Sequence, residues 1–173
     1  MRTGPKVIYW YVSANQIGTG VGVDSALLFT QAAFELLAWA HCVLETKAVS
    51  AGTFNGRGMS AAEKLRLLVH SLEVPLALPE KARPLHANRG KKWVDFIDAI
   101  TDLRYGLVHA SAKKKVPNGA YYEARKLSQW YIEVALLRLC SYLGRYVNRL
   151  SPHRFKKAEA LPFASEVHDF RPW

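Results

Sequence analysis

The stretch KKWVDFIDAITDLRYGLVH, residues 91–109, decides the fold class. Trp93, Phe96, Ile97, Ile100, Leu103, Leu107 and Val108 recur at spacings of three and four, the repeat that puts apolar side chains on one face of an α-helix. The loop SAKKKVPNG that follows ends it. Upstream, Asp24 is suited to cap a long helix running to about Lys47, apolar on most faces and therefore expected to be buried. A glycine-rich loop, AGTFNGRGMS, leads to Ser60-Ala-Ala-Glu63, the S-x-x-E form of a capping box, and a helix to about His70. Pro75, Pro79 and Pro84 forbid a continuous helix over residues 72–90. Downstream, Asn118 is placed to cap a last long helix from about Gly119 to Val147.

No stretch alternates with the period of a strand. The expectation is an all-α, up-and-down bundle of four to five helices over residues 23–149, in a single domain of 173 residues. Residues 1–22, with Tyr9-Trp-Tyr11 and the sequence IGTGVGVD, are expected to form an irregular approach segment and loop, and residues 150–173, with Pro152, Pro162 and Pro172, an irregular tail. The glycines of GTGVG lack the GK[ST] ending of a phosphate loop, so a helix-entry turn is the expectation there.

Charge is concentrated rather than spread. Between Arg104 and Lys157 twelve basic residues stand against Glu123 and Glu133, a surplus of +10 that equals the net charge of the whole chain. Such a balance suits a polyanionic partner. The two cysteines, Cys42 and Cys140, fall in apolar helical patterns, which excludes a disulfide framework and a cysteine metal site. No histidine spacing of the HxxxH or HExxH type occurs, so neither a metal nor another cofactor is expected. The apolar run Ala26–Leu44 contains Gln31, Glu35 and His41, and a central acidic residue alone costs about 2.5–3.5 kcal/mol on insertion. A buried helix, no membrane partner and a cytoplasmic location are the expectations.

The chemistry-bearing feature is RYGLVH, Arg104 to His109. Cutting RNA without a metal needs a base for the 2′-hydroxyl proton, an acid for the leaving 5′-oxygen and cations against charge growing on phosphorus. Histidine titrates near neutrality and can serve in either proton transfer. Arginine grips phosphate oxygens with a planar, permanently charged fork. Positions five apart lie about 140° round a regular helix, so the two cannot converge on one phosphate from an unbroken helix. Either the helix ends or distorts near Gly106, or two copies of the motif meet across a symmetric dimer.

The segment ITDLRYGLVHA resembles the signature helix of the HEPN superfamily, whose ribonucleases carry an R-x4-6-H motif there. The surroundings are similar to the prokaryotic Apea-like HEPN proteins in QAAFELLAW (Gln31–Trp39), LRLLVHSLEVPLALP (Leu65–Pro79), SYLGRYVNR (Ser141–Arg149) and the Pro172-Trp173 ending. The resemblance implies a helical bundle, a homodimer that brings two motifs together, and metal-independent endoribonuclease activity through Arg104 and His109. It implies a toxin or antiviral effector, with an antitoxin or regulatory protein as a possible partner. It also implies a catalytic acidic residue at Glu35, although Trp39 stands where a lysine accompanies that residue elsewhere. Glu35 read alone is first an internal partner for a buried arginine, Arg104 among the candidates, ahead of a catalytic role. Tyr105 replaces the polar residue, often Asn, that follows the motif arginine in active relatives; it is suited to donate a hydrogen bond or stack on a base. The same replacement leaves open a module that binds RNA or dimerises without cutting.

Further cations extend the expected RNA surface. Lys113, Lys114 and Lys115 follow His109, and Arg125 and Lys126 open the next helix. Along that helix Tyr131, Arg138, Tyr142, Arg145 and Arg149 would fall within a sector of about 60°. Basic groups interleaved with aromatics suit a single strand, and a solvated basic face is the plainer alternative.

Overall fold

A computed structural model describes residues 4–16, 21–77, 82–86, 93–109, 116–151 and 158–162. The described residues form an all-α bundle: α1 (Gly4–Asn15), α2 (Val23–Trp39), α3 (Ala51–Asn55), α4 (Ala61–Ser71), α5 (Arg83–His86), α6 (Phe96–Val108) and α7 (Ala120–Leu139). Five of these run more than two turns, and α2 lies at the centre, packed against α1, α4, α6 and α7. Its alanines at 26, 33 and 38 are fully buried, which lets neighbouring backbones approach closely, while Leu27, Phe34 and Leu37 fill the space between.

Beyond Trp39 the helix continues as a π-helical turn, Ala40–Glu45, with Thr46 N and Thr46 Oγ1 both donating to the His41 carbonyl. The combined stretch Val23–Glu45 is long and apolar enough, by length and composition, to cross a membrane, and 50% of its most apolar window is buried in the bundle.

Several expected boundaries move. The irregular approach expected over residues 1–22 is a helix for most of its described length: Pro5 sits in the first turn, where its missing N–H is harmless, and Val7 and Ala14 point into the core. Trp10 packs on Phe29 of α2 at 5.3 Å between ring centres. α2 is capped not by Asp24 but by Gly22, with Asp24 in the first turn, favourably placed against the helix dipole. α7 begins about where expected, but its cap is Gly119, in the left-handed region at φ +82°, and not Asn118.

The largest change is at the other end of α7, which stops at Leu139 instead of Val147. Ser141 adopts φ +54°, Ser141 N donates to Arg138 O at 2.9 Å and Tyr142 N to Leu137 O at 2.9 Å, a Schellman closure made without glycine. The chain then turns back, and Tyr146 pairs with Glu159 through two 2.9 Å backbone hydrogen bonds. Tyr146 and Leu161 are thereby buried. α4 ends in the same manner, with Glu73 at φ +57° and Val74 N donating to Val69 O.

The capping box is present as expected. Ser60 N donates to Glu63 Oε2 at 2.6 Å and Glu63 N to Ser60 Oγ at 3.3 Å. α6 is started by Asp95, whose Oδ1 accepts from Asp98 N at 2.9 Å. Arg66 of α4 reaches across to the same carboxylate through Nε, at 2.8 Å, and to Asp98. Hydrogen bonding to Asp95 holds the Arg66 charge more firmly than in a free arginine, against the opposing effect of burial.

Candidate functional site

α6 runs without a break through Gly106 to Val108 and ends at His109, which is extended at φ −109°, ψ 110°. The helix is not distorted at Gly106, but it ends two residues later, so His109 stands off the helix and not on a regular turn with Arg104. Asp98, Thr101, Asp102, Arg104 and Tyr105 line a cleft of about 450 Å³ between α6, the start of α4 at Ser60, Ala61 and Ala62, Gln31 of α2, and Trp93. Arg104 is on this cleft. His109 lies beyond it, exposed, its ring 4.3 Å from that of Tyr105. Tyr105, itself 48% exposed, is the link between the cleft and the histidine.

Two carboxylates share the cleft with Arg104. Asp98 is engaged by Arg66 and by Val94 N at 3.0 Å, and Asp102 accepts from Trp93 Nε1 at 3.1 Å. Trp93 is buried, so this bond satisfies an indole donor that would otherwise be stranded. None of Gln31, Trp93, Asp98 and Asp102 was singled out from the sequence for a site. A signal exists, because Asp98, Thr101, Asp102 and Tyr105 stand at i, i+3, i+4 and i+7 and must share one helix face.

Glu35 does not meet Arg104. Its Oε1 accepts from Gln31 Nε2 at 3.1 Å, and it lines a separate depression of about 490 Å³ with Trp39, Phe54, Asn55 and Lys64. Gln31 is thus the intermediary, bonded to Glu35 on one side and lining the Arg104 cleft on the other. It is 1% exposed, and its Oε1 has no hydrogen-bond partner among the described residues.

The expected basic face is largely dispersed. Lys113, Lys114 and Lys115 lie outside the described residues. Arg125 and Lys126 flank the Tyr122 ring at 5.9 and 5.5 Å, and Lys126 also pairs with Glu123 at 3.4 Å. Burial, with the nearby Arg149 charge, lowers the Arg125 pKa from its ordinary value. Arg138 pairs with Glu73 at 2.6 Å, and Arg145 donates to the Ala158 carbonyl at 2.5 Å. Tyr131 is core, stacked on Phe96 at 3.5 Å with its hydroxyl donating to the Pro75 carbonyl.

Arg149 is a correction in kind. Because α7 ends at Leu139, Arg149 folds back inward, its Nε donating to Glu133 at 2.9 Å and Nη2 to Asn15 at 2.9 Å, with Gln129 as a further partner. Tyr11 completes the group, donating to Glu133 at 2.5 Å. The Arg149 side chain is 12% exposed, so this is an internal network rather than a surface contact for RNA. Burial opposes its charge, and the Glu133 carboxylate together with Tyr11 outweighs burial to raise its pKa.

Among the described residues no group of three or more His, Cys, Asp or Glu is placed to hold a metal ion. The sequence model of the YopA C-terminal domain matches residues 2–160. The chain belongs to the YopA C-terminal domain family. A YopA relative, the SPbeta prophage-derived uncharacterized protein YopA of Bacillus subtilis (strain 168), is 26% identical over 170 residues, covering 97% of this chain and 35% of the relative. This YopA C-terminal domain thus spans about a third of the length of that curated relative. No solved structure matches the chain.

Proposed function

We propose that this YopA C-terminal domain is a HEPN-type module that cuts RNA without a metal, using Arg104 and His109 contributed by two copies of the chain. The observation that carries the proposal is the course of α6: it sets Arg104 on an open cleft, passes through Gly106 unbent and ends at an exposed His109 lying against Tyr105. Arg104 lines the cleft and His109 lies past the helix end, beyond it, so a single chain does not present both to one phosphate. A twofold pairing of the α6 ends can, and Tyr105 and Val108, each 48% exposed, give that end an apolar contact surface.

In the proposed reaction a histidine takes the 2′-hydroxyl proton and the 2′-oxygen attacks phosphorus. The bond from phosphorus to the 5′-oxygen breaks, and a second acid protonates the leaving oxygen, giving a 2′,3′-cyclic phosphate and a free 5′-hydroxyl. Arg104 neutralises the charge that grows on the phosphate oxygens. The biological setting in keeping with this chemistry is a toxin or antiviral effector, held in check by an antitoxin or regulatory protein.

A second reading, a non-catalytic RNA-binding or dimerisation module, is favoured by Tyr105, which stands beside Arg104 on the cleft with its ring 48% exposed, where active relatives carry a polar residue. One assay separates the two. Wild-type protein is incubated with generic RNA in excess EDTA, beside Arg104→Ala and His109→Ala, and solution mass is measured in parallel. Nuclease action predicts cyclic phosphate ends from the wild type only, and a dimer. Equal cutting by His109→Ala would remove the motif from the mechanism, and RNA binding with no products at any concentration would favour the second reading.

A further inference from the structure

We infer that Arg125 is a second phosphate-binding residue, which takes the backbone of a single-stranded RNA where the strand leaves the Arg104 cleft and crosses the start of α7. The inference rests on RNA being the ligand of this end of the bundle, as proposed above, and the test below tells the failure of one from the failure of the other.

The starting point is an arginine without an anion. Arg66, Arg138 and Arg149 each pair with a carboxylate, whereas Arg125, also partly buried, makes no hydrogen bond or ion pair with any described residue. Of its three nitrogens only Nε is both enclosed and without a partner, which leaves the two terminal nitrogens on the solvent side. The surroundings do not compensate the charge. Burial and then the nearby Arg149 charge lower its pKa, so the guanidinium stands in a positive field. Glu123, in the first turn of α7, is held by Lys126 at 3.4 Å, and Glu133 is held by Arg149. The Tyr122 ring, 5.9 Å away, is the contact that remains. A partly buried charge with no counter-charge is unfavourable, and proteins carry such local costs where function needs the group.

The free end of the side chain has the chemistry of a phosphate ligand. Two outward terminal nitrogens form the planar fork that matches two non-bridging oxygens of a phosphodiester, and the anion would supply the charge that the fold withholds. Lys126, its Nζ 5.5 Å from the same Tyr122 ring, adds a second positive group beside it.

Position makes the backbone of an RNA strand the occupant. Burial, then the Asp24 and Asp102 carboxylates, raise the Tyr121 pKa, which sets the Tyr121 ring near the wall of the cleft that Asp102 lines with Arg104. Arg125 follows Tyr121 by four residues on α7, about 6 Å along the helix axis. A strand whose phosphate lies at Arg104 therefore meets Arg125 next as it passes over the first turns of α7.

The test is fluorescence anisotropy of the whole chain with a labelled 2′-O-methyl oligouridylate, which lacks the attacking hydroxyl and so reports binding without cutting, across a series of salt concentrations. Arg125→Met keeps the apolar stem and removes the fork. It is expected to weaken binding about tenfold and to lower the slope of log affinity against log salt by about 0.7, the share of one phosphate contact on a single strand. The same variant should hold or raise the thermal unfolding midpoint, because it removes a charge that nothing in the fold answers. An arginine that braces the fold gives the opposite pair of results. Arg125→Lys, which keeps the charge without the fork, should restore the salt slope and only part of the affinity.

A second arm uses inorganic pyrophosphate, which has neither base nor ribose. It should raise the wild-type midpoint above that in sodium chloride of equal ionic strength, and should not do so for Arg125→Met. A wild-type salt slope in Arg125→Met, or a fall of its midpoint by several degrees, overturns the site and leaves the RNA reading standing. Stabilisation by pyrophosphate that depends on Arg125, with no oligouridylate binding, would remove RNA and keep an anion site. Wild-type protein that responds to neither probe overturns both.

Discussion

Replacing Arg149 by Met distinguishes an internal strut from an RNA contact. The methionine keeps the length and apolar stem of arginine but removes the fork that holds Glu133, Gln129 and Asn15 together. Glu133 is then left as a carboxylate only 20% exposed, with Tyr11 as its remaining donor. Removing one partner of a buried ion pair costs about 3–5 kcal/mol. The residual exposure and the surviving Tyr11 bond argue for the lower end, about 3 kcal/mol. For a chain of this size each kcal/mol moves the unfolding midpoint by about 2–4 °C, so a fall of roughly 6–12 °C is expected in a thermal scan followed by circular dichroism.

RNA affinity supplies the second measurement. A phosphate contact contributes about 0.7 to the slope of log affinity against log salt for a single strand, and an internal arginine contributes nothing. The slope for Arg149→Met, measured below its unfolding midpoint, should match that of the wild type. A variant with an unchanged midpoint and a shallower salt slope would refute the internal assignment and return Arg149 to the surface.

Ser60→Ala removes one half of the capping box that starts α4 and should lower stability by about 1 kcal/mol, a loss of about 2–4 °C, whereas Ser60→Gly should cost only a few tenths as much. Strong alkali should destabilise the bundle before any peptide chemistry intervenes. Burial pushes the Tyr146 hydroxyl up to about 12, and burial together with the Glu133 contact does the same for Tyr11. Since both folded values lie above the ordinary tyrosine value near 10, the stabilisation is complete below pH 10 and is lost as pH rises toward 12. Denaturant midpoints measured from pH 9 to 12 should fall across that window, and Tyr146→Phe should flatten the fall. A flat profile for the wild type would show that these phenols are open to water.

The α6 helix was legible because its apolar spacing is regular and its partner surface is continuous, and the Ser60 to Glu63 box because a cap is a local event written in four residues. The end of α7 was not. Tyr142, Leu143, Tyr146 and Val147 prolong an apolar rhythm, and the stop is made by Ser141 in a conformation that usually calls for glycine. α1 escaped notice because its short aromatic segment has only Val7 and Ala14 fully buried, too few to set a period. The motif was visible, but its cleft was not. Arg66 finds Asp95 and Asp98 across 29 and 32 residues, and Gln31 joins Glu35 to a surface built by α4 and α6, relations that depend on how helices cross rather than on spacing within any one of them.

The polar group around Arg149 sets an order of events for a chain emerging from the ribosome. α1 and α2 can pack as soon as both have been made, but the Tyr11 hydroxyl must stay hydrated until Glu133 arrives and the Asn15 Oδ1 until a residue 134 positions after Asn15 arrives. Synthesis at about 5–20 residues per second makes that a wait of many seconds. The first helix can therefore dock early but can lock only when Arg149 has been delivered, so its final fixing comes after the rest of the bundle has been made.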